Sequence, residues 1–211
     1  MSNLIKYVSN TASIIEDEWQ KVTLPPSHEP ERKQAGKVVL FKLTGEKTVH
    51  ADQIAETVIP ATGKILIPLS VWLVRKDEFT DRLKAGELGI WMETHKLVET
   101  LVESQADLNV FPLIAVHVER FADGRIFSIG TLLRTRYGYK NELRATGDVL
   151  RDQLFFLKRS GFDSFLIRAD RSAKDALQSL KDFSEPYQGA VDNPVPLFKR
   201  YNRNATMELK P

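Results

Sequence analysis

The stretch "PLIAVHVERFADGRIFSIGTLLRTRYGYKNELRATGD", residues 112–148, contains one complete strand–helix–strand unit. Residues 112–119 are mostly apolar, which is typical of a strand that a parallel sheet buries on both faces. Residues 125–138 have the spacing of an amphipathic helix that ends at Gly138, and residues 141–147 give a second short strand. A helix between two successive strands predicts that the strands are parallel and joined by a right-handed crossover.

The same unit repeats on both sides of this stretch. Further strands are predicted at residues 64–69, 87–93 and 162–168, each followed by a stretch with helical spacing. We therefore predict an α/β fold with a mainly parallel sheet of about five βα units. A complete eight-unit barrel usually needs about 250 residues, and this chain has 211. Periodicity does not separate an open three-layer sheet, which we favour, from a partial barrel, which is the alternative.

The chain divides into three predicted parts, which are a β-rich extension (1–60), an α/β domain (61–185) and an extended tail (186–211). Within the extension, two strand-like stretches predict a hairpin around Asn10, residues 37–43 a further strand, and residues 51–59 a short helix. The tail is rich in proline, and its candidates for docking on the domain or on a partner are Tyr187, Leu197 and Phe198.

The composition excludes several classes of protein. The chain has no cysteine, which excludes disulfides, thiolate nucleophiles and cysteine-ligated iron–sulfur or zinc sites. No apolar run approaches the roughly 20 residues of a membrane helix, and the first residues lack the pattern of a signal peptide. Hydrophobic residues make up 42% and charged residues 27%. We expect a globular cytoplasmic protein that does not bind membranes.

The familiar catalytic motifs are missing from the sequence. There is no dinucleotide-binding, phosphate-loop, zinc-protease or nucleophile-elbow motif. Aromatic residues do not alternate with basic ones, so nucleic-acid binding is not expected. A metal site can be drawn from His117 and Glu119 with Glu93 and His95, but no compact ligand spacing supports it. We expect His117 to be a hydrogen-bonded core histidine, and we expect no metal and no cofactor.

Charged residues concentrate where the predicted strands end. Ligands of parallel α/β sheets bind at the carboxyl ends of the strands, and residues 120–171 carry an excess of basic side chains, which attracts anions. The candidates for binding a small anion or a partner are Asp123, Gly124, Arg125, Arg144, Gly147, Asp148, Arg151 and Arg168. We expect residues 123–125, Arg144, Asp148 and Arg151 to lie close together, because successive parallel strands have their exit loops on one side.

Arg144 is unusual because it lies within a strand that should be apolar. A buried guanidinium needs a carboxylate or an anion as its partner. Either it clamps an oxyanion together with Arg125 or Arg168, or it forms a structural ion pair with a carboxylate such as Glu119 or Asp170.

The turns before the two following helices allow the same two interpretations. Gly147 permits a tight turn, and free N–H groups at the start of a helix attract an anion. Asp148 is instead suited to cap that helix. Asp123 and Asp148 can pair with Arg125 and Arg151 as a brace, or a bound anion can neutralise both arginines.

The block "FADGRIFSIGTLLRTRYGYKNELRATGDVLRDQLFFLKRSGFD", residues 121–163, closely resembles the signature of a bacterial family, number 934 among the domains of unknown function. The stretches "ILIPLSVWL", "LGIWM" and "NPVPLFKR" resemble its other segments, so the resemblance runs from about residue 63 to residue 200. Members of this family are commonly described as oxidoreductases with a role in sulfite reduction.

The resemblance implies a place in assimilatory sulfate reduction, beside a sulfite reductase or its electron donor. A catalytic subunit resembling known sulfite reductases needs a cysteine-ligated iron–sulfur cluster, and this chain has no cysteine. The resemblance therefore implies an accessory protein. A small-anion-binding protein or enzyme that uses the arginines is the alternative, and the sequence leaves open whether the chain is an enzyme.

Overall fold

The computed structural model describes residues 2–27 and 49–200. The strands in these residues are β1 (Leu4–Val8), β2 (Thr11–Ile15), β3 (Trp19–Lys21), β4 (Lys64–Pro68), β5 (Leu88–Glu93), β6 (Leu113–Val118), β7 (Glu142–Gly147) and β8 (Ser164–Leu166). The helices are α1 (Ala51–Glu56), α2 (Leu69–Arg75), α3 (Thr80–Lys84), α4 (Val98–Ser104), α5 (Arg125–Thr135), α6 (Leu154–Arg159), α7 (Ala173–Leu177) and α8 (Leu197–Arg200). Together the strands form one sheet in the order β2-β1-β8-β7-β6-β5-β4-β3.

The strands from β3 to β8 lie side by side in chain order, and within this run each strand is parallel to the next. Right-handed crossovers that always step in the same direction place their helices on one face of a sheet. The larger apolar core joins this face to helix residues such as Ile126 and Leu154. The smaller core lies on the other face, and its members are strand residues: Leu66, Trp91, Leu113 and Ala115, with Trp19 packed against them. The mainly parallel α/β sheet is confirmed, and it is the partial barrel, not the open three-layer sheet.

The two edge strands of the sheet, β2 and β3, follow each other in the sequence. β1 and β2 form the predicted hairpin, whose turn residues Ser9 and Asn10 have positive φ values of 49° and 66°, and β1 pairs antiparallel with β8. The stretch predicted as the second hairpin strand divides at residues 16–18, and β3 pairs with β4 at the opposite edge. The four residue steps from Ile15 to Trp19 span at most about 15 Å. The sheet must therefore curl until its edges lie within that distance.

Side chains alternate between the two faces along each strand. On the concave face, Glu142 and Arg144 lie on the amino-terminal half of β7, and Thr146 lies at its carboxyl end. Glu93, His117 and Thr146 occupy one register row across β5, β6 and β7. The concave face therefore has two groups of polar side chains. Glu142 and Arg144 lie toward the amino end of the barrel, Glu93, His117 and Thr146 lie toward its carboxyl end, and the smaller apolar core lies between them.

The region predicted as one helix over residues 70–86 is divided. α2 and α3 are separated by a 3₁₀ turn, Lys76–Phe79. In this turn Phe79 is 2% exposed, whereas Lys76, Asp77 and Glu78 are exposed. The turn thus brings one aromatic side chain into the core. The strand predicted at residues 37–43 lies outside the described residues, and the short helix predicted after it is α1.

Gly130 supports a close contact between α5 and the segment after α6. A Cβ atom at this position would lie 2.4 Å from Cε2 of Phe162 and 2.8 Å from the carbonyl oxygen of Ser160. We expect Gly130→Ala to lower the free energy of unfolding by about 1–3 kcal/mol, as overpacking does, although alanine is normally the better helix residue. Urea denaturation measures this change. The matched control is Thr131→Ala on the exposed side of the same helix, and equal stability of wild type and Gly130→Ala would contradict the prediction.

Candidate functional site

Asp123 and Arg125 form a bidentate ion pair at the turn where α5 begins. Nη2 of Arg125 lies 2.8 Å from Oδ2 of Asp123, and Nε lies 2.9 Å from Oδ1. Asp123 also accepts hydrogen bonds from the Arg125 backbone N–H and from the hydroxyl of Thr94. The Arg125 side chain is the main cause that lowers the pKa of Asp123 to about 2. The hydrogen bond from Thr94 to Asp123 links the loops after β5 and β6. Gly124, between the two, is exposed.

Arg168 lies between two carboxylates. Its Nη1 is 2.6 Å from Oδ1 of Asp148, and its Nε is 2.6 Å from Oδ1 of Asp170. Asp148 also accepts a hydrogen bond of 2.9 Å from the backbone N–H of Phe121. Both carboxylates raise the pKa of Arg168 above its ordinary value, with Asp170 the larger cause. The loops after β6, β7 and β8 are joined through these contacts.

Gly147 has a structural role at the end of β7. Its φ is +97°, and a Cβ atom there would lie 2.1 Å from the carbonyl oxygen of Val118 and 2.9 Å from the His117 ring. A side chain at this position would be strained by the positive φ and would clash with these atoms. Gly147 therefore allows the backbone to pack against His117.

Arg144 is 2% exposed and pairs with carboxylates toward the amino end of the barrel. Its Nη2 lies 2.7 Å from Oε1 of Glu142, and its Nη1 lies 2.8 Å from Oδ1 of Asp17. Burial alone would raise the pKa of Glu142, but Arg144, Lys6 and Ser164 outweigh it and lower that pKa. The structural ion pair therefore exists with partners other than Glu119 and Asp170. The reason is that Glu142 is two residues away on the same face, and that Asp17 comes from the link between β2 and β3.

The candidate residues thus occupy separate places. Among the described residues, no ion pair or hydrogen bond joins Arg144 to the Asp123–Arg125 or the Asp148–Arg168 contacts at the carboxyl edge. Arg151 lines a different cavity of about 290 Å³, together with Arg171 and Asp175. The structure brings the loops of the carboxyl edge together, but not the cluster of arginines that an anion clamp requires.

A larger cavity of about 680 Å³ opens at the amino end of the barrel. Its cations are paired with carboxylates: Lys6 lies 2.8 Å from Glu142, and Lys64 lies 2.6 Å from Glu18. The remaining lining residues include Trp19, Asn141 and Arg144. The cavity is therefore polar, and its charges are balanced.

At the other end of the concave face, Lys21 approaches His117 and Trp91. Nζ of Lys21 is 3.4 Å from Nδ1 of His117 and 4.3 Å from the centroid of the Trp91 ring. The same His117 nitrogen lies 3.3 Å from Oγ1 of Thr146. The prediction for His117 is confirmed in its hydrogen bonding but not in its position, because His117 is half-buried at the end of the concave face and not a core residue. In the parts of the chain that the structure describes, no group of three or more His, Asp and Glu side chains is placed to hold a metal ion.

The comparisons with known proteins identify the family. The family model described as "Bacterial protein of unknown function (DUF934)" matches residues 89–198, slightly more than half of the chain. The chain belongs to this family. No curated protein and no solved structure gives a significant match. In the described residues of this DUF934 protein, none of the helices is long and apolar enough to cross a membrane.

The region that matches the DUF934 family does not contain the whole of either polar group. It includes Arg144, His117 and Thr146, whereas Asp17 and Lys21 lie before it. The sequence reasoning missed both residues because residues 16–21 looked like the continuation of one hairpin strand. The available signal was the alternation of Trp19 and Lys21, which places their side chains on one face of a strand.

We expect Arg144→Met to lower the free energy of unfolding by about 3–5 kcal/mol, because it leaves Glu142 and Asp17 without their buried partner. Denaturant titration at pH 7 measures the loss. Lys64→Met is the matched control, since it removes one partner of the exposed pair with Glu18, and it should have a much smaller effect. Similar losses for the two variants would contradict the structural role of Arg144.

Asp123→Asn should destabilise the protein at neutral pH and not at low pH. The folded state lowers the pKa of Asp123 from 3.8 to about 2, so its contribution is present above pH 4 and is lost as the pH falls through 2. We expect a loss of about 1–2 kcal/mol at pH 7. Unfolding curves of variant and wild type between pH 7 and 2 measure this difference. Asp77→Asn is the control, because Asp77 is exposed and its carboxylate forms no ion pair within the described residues; a difference that persists at pH 2 would contradict the assignment.

Proposed function

We propose that this DUF934 protein is a cytoplasmic accessory protein of assimilatory sulfite reduction that acts with a sulfite reductase or its electron donor. The proposal is supported by the resemblance of residues 121–163 to a family whose members are described in connection with sulfite reduction. The chain has no cysteine, so it cannot itself ligate the iron–sulfur cluster of a catalytic subunit through cysteine. This supports a role beside the catalytic protein.

The pairing of the arginines with carboxylates favours binding of a partner over binding of an anion. Arg125, Arg144 and Arg168 each have a carboxylate oxygen within 2.8 Å. An anion at any of these places would have to displace that carboxylate and leave it unpaired. The contacts therefore favour braces that hold loops in place over an arginine clamp.

Exposed aromatic side chains supply a surface for a protein partner. Phe156 and Phe183 are 52% and 56% exposed, and both rings pack with Phe155, at centroid distances of 5.5 and 4.8 Å. We call Phe155, Phe156 and Phe183 the aromatic patch. Adjoining aromatic side chains that remain exposed are typical of protein interaction sites.

The second candidate function is a small-anion-binding protein or enzyme. It is favoured by the 290 Å³ cavity, where Arg151 and Arg171 lie together with Ser172. Asp152 and Asp175 line the same cavity, so its charge is close to balanced. This balance makes the accessory function the better supported of the two.

Deletion of the gene should cause a growth defect on sulfate or sulfite that cysteine or sulfide relieves. The double variant Phe156→Glu/Phe183→Glu should fold but fail to restore growth, because the charges disrupt the aromatic patch. Leu97→Glu is the control, since Leu97 is 67% exposed and lies outside the patch. Growth curves of the complemented strains and thermal melting of the purified variants are the measurements. Normal growth of the deletion strain on sulfite, with normal sulfite reductase activity in extracts, would contradict the proposed accessory function.

A further inference from the structure

We propose that Lys21 is a reactive amine that forms an imine with a small aldehyde or ketone at the carboxyl end of the barrel. We call Lys21, Trp91, His117 and Thr146 the lysine site. The inference stands independently of the proposed accessory function, because none of these residues belongs to the aromatic patch.

The position of the lysine site favours chemistry. Lys21 is the last residue of β3, and His117 and Thr146 are paired near the carboxyl ends of β6 and β7. In barrels of parallel strands, catalytic groups lie at this end and come from several different strands. The lysine site combines side chains from β3, β5, β6 and β7.

Lys21 differs from the other cations of the concave face. Lys6, Lys64 and Arg144 each form an ion pair at 2.6–2.8 Å, whereas Lys21 forms no ion pair with a carboxylate of the described residues. Lys21 is exposed as a residue, but the surroundings of its amine are crowded, and burial lowers the pKa of Lys21 while Glu93 opposes that effect. A lysine whose charged form is disfavoured is the usual nucleophile for carbonyl compounds.

His117 is placed to carry protons for Lys21. Its Nδ1 is 3.4 Å from the amine, and Thr146 contacts the same nitrogen at 3.3 Å. The backbone at Gly147 packs against the imidazole so closely that a Cβ atom would lie 2.9 Å from the ring. A nucleophile, an adjacent base and a third group that orients the base form the arrangement found in covalent catalysis, and such distances are often loose before substrate binds.

The step balances with these groups alone. His117 takes a proton from the Lys21 ammonium, and the neutral amine attacks the carbonyl carbon while the imidazolium returns that proton to the carbonyl oxygen. The nitrogen then loses a second proton to His117, which passes it to the new hydroxyl group. Water leaves as the nitrogen lone pair forms the C=N bond, so one ammonium and one carbonyl give one protonated imine and one water.

The Trp91 ring can attract both the reactant and the product of this reaction. Its ring lies 4.3 Å from the Lys21 nitrogen, and an aromatic face attracts a cation. The ammonium and the protonated imine carry the same charge at the same nitrogen. The ring therefore holds the side chain in place without favouring the reactant over the product.

The test is reductive trapping on the native full-length chain. The protein is incubated at pH 7 with propanal or pyruvate and cyanoborohydride, and the labelled lysines are identified by peptide mass spectrometry. Lys64 is the internal reference, because Glu18 raises its pKa. We expect Lys21 to be labelled several-fold faster than Lys64, with a rate that saturates as the carbonyl concentration rises. Labelling of Lys21 that is no faster than that of Lys64, or that never saturates, would overturn the proposal.

A variant separates proton transfer from simple exposure of the amine. His117→Asn should slow the labelling of Lys21 by about tenfold or more, as expected for the loss of a general acid–base group, while the labelling of Lys64 stays unchanged. Thermal melting of the variant reports that it is folded. Lys21→Arg should remove the fast site and leave the rest of the labelling pattern intact. Equal labelling of Lys21 in wild type and His117→Asn would overturn the role of the imidazole.

Discussion

The three residues between β2 and β3 constrain the whole sheet, because they connect its two opposite edges. A short link cannot span a flat sheet of eight strands, so the strands must curl. The ion pair between Asp17 of this link and the buried Arg144 of β7 holds the link against the concave face. The amino-end cavity depends on this curvature, because it combines Ile15 of β2 and Trp19 of β3, at opposite edges, with Arg144 of β7. The approach of Lys21 to His117 depends on it as well, because β4 and β5 lie between their strands.

The strands β4 to β8 could be predicted from the sequence because each is a short buried run that is separated from the next by a helical stretch. The buried guanidinium of Arg144 could also be recognised, since a charged residue in an apolar strand needs a partner. The identity of that partner could not be predicted. Asp17 lies 127 residues away in the chain, and no local pattern reports a contact of that range. The break between β2 and β3 was missed for the same reason, because the residues of the link carry no glycine or proline and β3 is defined by its pairing with β4.

The two ends of the concave face differ in how their charges are arranged. At the amino end, every cation that lines the cavity among the described residues is matched by a carboxylate. At the carboxyl end, Arg125 and Arg168 are paired with carboxylates as well, and the contacts of Asp123 and Asp148 connect the loops after β5, β6, β7 and β8. Lys21 lies at the same end, next to an imidazole and an aromatic ring. Within the described residues its amine takes no part in the ion pairs that hold these loops together.

The pairing of β1 with β8 has a consequence for how the chain is made. Leu4 and Leu166 are register partners, so β1 cannot form this pairing until β8 has left the ribosome. Contacts between residues this far apart raise the contact order and slow folding. During that interval an unpaired strand edge is exposed, and such edges promote association between chains. Of the strands that the structure describes, the last to be synthesised is therefore the one that ends this exposure.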